Sequence, residues 1–128
     1  MCIRDRSYSI IPDDKEIIQK EVRSFEQKGC NLVIITGGTG LSPRDVTPDA
    51  IKPLLDIEIP GISEAIRNYG QDRTPYSMLS RSIAGFMKDT LILAIPGSTG
   101  GVKDSIQAVF PAIFHVFRVK KFFSHDDK

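Results

Sequence analysis

The sequence predicts an α/β domain of three layers, a mostly parallel sheet with helices on both faces. Three observations predict it. Short β-rich apolar runs alternate with stretches of helical periodicity along the chain. Two of those runs, residues 32–35 and 90–95, end in glycine-rich loops that lead on into helices. The third is scale: 128 residues with 41% hydrophobic and 26% charged side chains suit one soluble domain around one core.

Residues 8–11 (YSII) read as a short strand ending at Pro12. Asp13 has the position of a helix N-cap with Glu16 three residues on, although Asp14 or Glu16 could serve there instead. Ile17, Ile18, Val22 and Phe25 give the following helix its apolar stripe, and Gly29 ends it. Residues 32–35 (LVII) form a continuous apolar run, as expected of a strand buried on both faces. A helix is expected to open at Thr47, with Thr47 as cap and Pro48 in its first position.

The stretch from residue 57 to 76 is less regular, with a short helix expected around residues 63–69 and another near 75–79. Residues 82–86 and 90–95 read as two strands joined by a tight turn at Lys88-Asp89. Residues 102–110 and 112–119 finish the chain as helix, kinked at Pro111. Residues 1–7 (MCIRDRS) lack periodicity, resemble translated adapter sequence and are expected to be a non-native leader. The domain is therefore placed at residues 8–120, with a tail at 121–128.

Composition excludes several classes of function. A net charge of +1 offers no footprint for nucleic acid or a membrane surface. The one basic run, residues 118–121, reads as a solvated tail. Cys2 and Cys30 are too few for a disulfide scaffold and have no metal-ligand spacing. His115 and His125 are isolated, His115 reading as a core or interface histidine. With no secretory segment and no bilayer-spanning apolar run, a cytoplasmic protein is expected.

Parallel strands would place Pro12-Asp13, the loop Thr36-Gly37-Gly38-Thr39-Gly40 and the loop Pro96-Gly97-Ser98-Thr99-Gly100-Gly101 on one sheet edge, where open α/β sheets bind ligands. Glycines let a backbone approach a ligand closely, and successive N–H groups can form an anion nest. The second loop opens directly into a helix, whose first amides favour a phosphate, with Lys103 one turn further on. Either loop can equally be a tight turn. Neither fits the P-loop or dinucleotide fingerprint. Asp45, after Arg44, is either a turn residue, half of a local Arg–Asp pair, or a ligand-edge carboxylate. Asp13 is either the helix cap or its partner there. Two carboxylates at that edge can hold Mg²⁺ between phosphates.

Residues 36–50 (TGGTGLSPRDVTPDA) resemble the central motif of the MogA/MoaB family of molybdenum cofactor biosynthesis proteins. Residues 11–14 (IPDD), 60–67 (PGISEAIR), 79–81 (LSR) and 95–105 (IPGSTGGVKDS) carry the resemblance in the same order, over about residues 8–119. It implies the molybdopterin-binding-domain fold and molybdopterin as substrate. In active members it further implies transfer of AMP from Mg-ATP to the terminal phosphate of that pterin.

By the same resemblance, Asp45 and Asp13 match the catalytic, magnesium-binding aspartates. Thr36, Gly37, Gly38, Thr39, Gly40, Ser42, Arg44 and Thr47 match the first substrate loop, and Pro96, Gly97, Ser98, Thr99 and Lys103 the second. Ser80 and Arg81 also fall on substrate-binding positions. A homotrimer or larger homo-oligomer is implied. The LSRSIAG and FHVF stretches are similar to the MoaB-type half of MoaC–MoaB fusions with a cyclic pyranopterin synthase domain. The family begins with a strand, a Ser-Asp loop and a long helix that have no counterpart before residue 8, so an N-terminally truncated fragment is expected, which as such could be inactive. Two other readings stay open: a non-catalytic pterin- or partner-binding module, and an α/β domain whose loops take another phosphorylated ligand.

Overall fold

The computed structural model describes residues 7–126, and the side chains of residues 7–120. Helix α1 spans Lys15–Gln27 and is capped by Asp14, whose carboxylate accepts from the Ile17 N–H at 3.1 Å. The cap is thus one residue later than Asp13, because Asp14 has the extended backbone that lets its side chain reach back to the first turn. Ile18 and Val22, one turn apart, are the buried face of α1, while Ile17 is 39% exposed. At the other end Cys30 N–H bonds Phe25 O and Gly29 N–H bonds Glu26 O, a Schellman closure that needs the φ of +83° at Gly29.

Strands β1 (Leu32–Thr36), β2 (Ile57–Glu58), β3 (Ile83–Met87) and β4 (Thr90–Ile95) make one sheet in the order β1-β4-β3-β2. β1 runs parallel to β4; β3 is antiparallel to both β4 and β2. The α/β class holds, but the described sheet is mixed rather than mostly parallel. One reason is that residues 8–11 are not a strand: Tyr8 and Ile10 are 86% and 85% exposed, and no described strand lies beside them to complete a ladder. The other is that Lys88, at φ 53°, turns β3 directly back into β4 as the tight hairpin the sequence indicates.

Every residue of β4 is buried, and its side chains alternate between two apolar clusters. Ile92 and Ala94 face Ile18 and Val22 of α1 and Ala50 and Ile51 of α2 (Thr47–Ile51). Leu91, Leu93 and Ile95 face Ile66 of α3 (Pro60–Gln71) and Val109 of α4 (Thr99–Val109). These two clusters establish the three layers. Burying each large aliphatic side chain contributes about 1.5–3 kcal/mol, so β4 anchors both cores. β1, expected to be buried on both faces, is an edge strand among the described residues, and Ile34 is 40% exposed as a result.

Other boundaries shift for local reasons. α2 includes Thr47 in its first turn, with Val46 at the cap position, so Thr47 is not the cap. α3 starts at Pro60, earlier than residue 63, and is preceded by the two-residue β2, too short to register as an alternating pattern. After the Phe110–Pro111 break, α5 covers His115–Asp126. His115 is exposed, not a core histidine. Lys120, read as part of a solvated run, instead sits 4.0 Å from the Phe86 ring centroid and 3.5 Å from Asp89, tacking α5 onto the β3–β4 turn. Residues 1–6 of the expected leader lie outside the described residues. Among those described, no helix is long and apolar enough to cross a membrane.

This packing yields two predictions. Asp14→Ala should cost about 1 kcal/mol in urea unfolding, whereas Asp13→Ala should leave the midpoint unchanged; equal losses would return the cap to Asp13. Ile92→Ala, which opens a void between the sheet and α1, should cost about 2–5 kcal/mol, and a loss near zero would contradict the central place given to β4.

Candidate functional site

The parallel register pairs Thr36 with Ile95, so β1 and β4 end level and their loops leave side by side. Gly37 N–H extends the ladder by one bond, to Ile95 O at 3.0 Å. There the two loops touch: a Cβ on Gly97 would lie 2.9 Å from the Gly37 Cα, closer than packing allows. Gly37 and Gly38 have φ of +96° and +71°, which lets the first loop turn away from the strand.

The rest of that loop is fixed by hydrogen bonds from other elements. Gly38 O accepts from Thr47 N–H at 3.1 Å, which sets α2 against the loop. Thr39 is buried, and its hydroxyl lies 3.2 Å from that of Ser80, itself 3.0 Å from the Ser82 hydroxyl. Arg81 donates from its backbone to Thr39 O (2.7 Å) and from Nε to Gly40 O (2.9 Å). Its Nη2 donates to Asp45 O at 2.6 Å, and Nη1 reaches both carboxylate oxygens of Asp49 at 3.2 Å.

Asp13 and Asp45 flank this loop. A Cβ at Gly38 would meet Asp13 Oδ1 at 3.5 Å and, more tightly, the Thr47 hydroxyl. A Cβ at Gly40 would meet Asp45 Oδ2 at 2.7 Å. Because Asp14 caps α1, the Asp13 carboxylate has no capping task, and Asp13 is exposed beside the loop. Asp45 closes a turn with Ser42: Asp45 N–H bonds Ser42 O at 2.9 Å, and Ser42 N–H bonds Asp45 Oδ2 at 3.0 Å. Hydrogen bonds from the Ser42 hydroxyl, then from the Ser42 and Gly40 backbone, with the Arg81 charge, outweigh burial and hold the Asp45 carboxyl below the ordinary aspartate value. Asp45 is therefore ionised at neutral pH, suited to accept hydrogen bonds or bind a cation and not to donate a proton.

On the second loop, Ser98 caps α4 by accepting from Gly101 N–H at 3.0 Å. The Thr99 and Gly100 amides, in the first turn, have no intrahelical acceptor and are available to an anion. Gly97, Ser98, Thr99 and Lys103 are exposed and Pro96 half-buried. Arg44 and Ser42 are exposed as well; Ser42 Oγ accepts from Arg44 N–H at 3.2 Å, and no Arg44–Asp45 ion pair occurs among the described residues. The predicted site residues thus gather at the end of the β1–β4 pair and the neighbouring β3 entrance, with Lys103 further along α4.

Two participants have no sequence signal of their own. Asp49, read only as part of a helix start, is the ion-pair partner of Arg81. Arg67 donates from Nη1 to Ser82 O at 3.2 Å and, more weakly, to Ser80 O at 3.4 Å, bracketing the peptide units around Arg81. Both pairings span more than ten residues, beyond what local spacing reports.

Among the described residues no cluster of three or more His, Cys, Asp or Glu side chains forms a closed metal cage. The carboxylates of exposed Asp13 and half-buried Asp45, flanking the loop, suit Mg²⁺, which keeps waters and takes phosphate oxygens beside one or two protein ligands.

Comparison with known proteins fits this geometry. A family model described as "Probable molybdopterin binding domain" matches residues 1–115. The chain is 44% identical over 108 residues to gephyrin of Dictyostelium discoideum, covering 84% of this chain and 15% of that protein. It is 36% identical over 113 residues to a molybdenum cofactor biosynthesis bifunctional protein of Chlorobaculum tepidum, covering 88% of this chain and 36% of that one. These two relatives are thus much longer than the stretch they share with it. The crystal structure of the molybdopterin biosynthesis enzyme MoaB from Thermus thermophilus superposes with a TM-score of 0.78 at 43% identity, over 84% of this chain and 69% of that one. With its glycine loops, its three-layer fold and a family model spanning nearly all of its length, the chain belongs to the MogA/MoaB family of molybdenum cofactor biosynthesis proteins.

Proposed function

We propose that this chain acts in molybdenum cofactor biosynthesis by binding molybdopterin where the β1 and β4 loops meet, and that the protein transfers AMP from ATP to the terminal phosphate of the pterin. The observation that carries the reading is the pair of carboxylates, Asp13 and Asp45, flanking Gly38 and Gly40 of one loop. A site that only cradled a phosphate would be weakened by two negative charges beside it. A site that brings two phosphates together with a cation needs them.

In the transfer, an oxygen of the pterin phosphate attacks the α-phosphorus of ATP; the new P–O bond forms as the bond to the β-phosphate oxygen breaks, and pyrophosphate leaves. No proton has to move, so the residues work by placement and charge. The exposed amides of Thr99 and Gly100 would bind one phosphate and those of the first loop the other. The Gly37–Gly97 contact would set the spacing between them. Asp13 and Asp45 would hold Mg²⁺, which when bound neutralises phosphate charge. Asp45 is ionised at neutral pH as an ordinary aspartate is, and its bonds from Ser42 and Gly40, with the Arg81 charge, lower its proton affinity further.

Binding without catalysis is the second reading, since the same loop amides would hold the pterin phosphate whether or not a nucleotide joins it. The likeness to a bifunctional relative supports a fused parent protein, and the family supports a homo-oligomer in the cytoplasm.

The deciding experiment incubates the intact protein with molybdopterin and Mg-ATP and assays adenylylated pterin by mass spectrometry; tight pterin binding without product would leave only the binding module. Asp45→Asn should retain molybdopterin affinity and lose turnover by on the order of 100-fold or more, and full activity would remove Asp45 from the transfer. Gly97→Ala should weaken both binding and turnover by driving the loops apart at Gly37, and should also lower the unfolding midpoint, because the added Cβ meets backbone. An unaltered dissociation constant in that variant would place the pterin elsewhere.

A further inference from the structure

Arg81 falls at a substrate-binding position, yet its side chain is engaged by the protein at every nitrogen. Nε donates to Gly40 O, Nη2 to Asp45 O and Nη1 to the Asp49 carboxylate, while its backbone N–H donates to Thr39 O. One residue thus grips four others spread from Thr39 to Asp49. The Arg81–Asp49 pair is partly exposed on both sides, with side chains 36% and 53% accessible, so it adds little by itself. The two charge-assisted bonds to carbonyls are the stronger part.

Peptide planarity gives these bonds a consequence. In a trans peptide unit the C=O and the following N–H point in opposite directions. Turning the carbonyls of Thr39, Gly40 and Asp45 toward Arg81 therefore turns the N–H groups of Gly40, Leu41 and Val46 away from it. The bond from Thr47 N–H to Gly38 O likewise turns the Thr39 N–H away from the start of α2. Arg81 thus fixes the directions of the amides at 40, 41 and 46, with the Gly40 N–H turned to the Asp45 carboxylate at the edge of the loop. Arg81 is itself held on both flanks, by Arg67 on Ser80 O and Ser82 O and by the Thr39–Ser80 hydroxyl contact.

We propose that Arg81 is a positioning residue that shapes the phosphate-binding loop from behind and does not itself touch the phosphate. The inference rests on the proposed binding of a pterin phosphate only for what the loop receives; the loop's dependence on Arg81 is a property of the ligand-free chain. A lysine offers one nitrogen in place of three and cannot restore the grip.

The test uses Arg81→Ala and Arg81→Lys in the intact protein. Hydrogen–deuterium exchange without ligand should speed up in residues 39–46 in both variants and stay unchanged in β4. Molybdopterin affinity should fall roughly tenfold or more in both variants alike, with the dependence of Kd on ionic strength as in wild type. Asp49→Asn, which removes only the exposed ion pair, should change Kd by less than about threefold. Wild-type affinity in Arg81→Lys, or a flatter salt dependence in Arg81→Ala, would overturn the proposal in favour of a direct phosphate contact. Unchanged exchange in the loop would overturn it as well. If wild type does not bind molybdopterin while loop exchange still rises in the variants, the proposed ligand fails and the positioning role stands. If Arg81→Ala does not fold, Arg81→Lys carries the same readouts.

Discussion

The parallel pairing of β1 with β4 is the constraint on which the candidate site depends. Their level ends bring two loops, separated in sequence by the whole middle of the chain, to a single point. At that point glycine faces glycine, and the first loop needs two successive residues in the left-handed region to leave room. The two cores hold this pairing in place from opposite sides: α1 and α2 below, α3 and α4 above, all resting on the alternating side chains of β4. A site built from exposed backbone thus takes its rigidity from buried aliphatic contacts several residues away. That is how a loop can carry function without being loose.

Around this frame, charge is arranged in layers. Arg81 binds carbonyls of the first loop and pairs with Asp49, while Asp13 and Asp45 lie beside Gly38 and Gly40 of the same loop. Asp45 belongs to both: its backbone carbonyl is bound by Arg81 and its carboxylate by Ser42. A turn that would be ordinary elsewhere here fixes the direction of one side chain and lowers its proton affinity. The same aspartate can close a turn and still present a charge at the ligand edge.

What the sequence makes legible divides along a physical line. β4, the Lys88 turn, the helix stop at Gly29 and the two glycine loops are readable because their causes are local: apolar runs, a tight turn, left-handed backbone. The resemblance carried by residues 11–14, 36–50 and 95–105 implies roles for the loops and aspartates that spacing leaves open. Residues 8–11 mislead because β-rich composition describes a strand only when a neighbour completes its ladder. The expected burial of β1 fails for the same reason. The bonds made by Arg81 and by Arg67 of α3 are illegible in another way: the resemblance marks Arg81 as a site position, but the partners of both side chains lie far along the chain and leave no local pattern.

The placement of the α1 cap has one more consequence. Asp13 and Asp14 are chemically identical neighbours, but only Asp14 is committed to the helix. A cap tolerates any short side chain with an oxygen at the right distance, so serine, threonine or asparagine can stand in for Asp14 at small cost. No such latitude exists for a residue whose worth lies in its negative charge. The two positions are therefore under different rules of substitution. If Asp13 holds the proposed cation, the first can change only where that task has lapsed, while the second can vary among small polar residues. On the proposed function, the side-by-side doublet would then mark whether the edge of the sheet is in use.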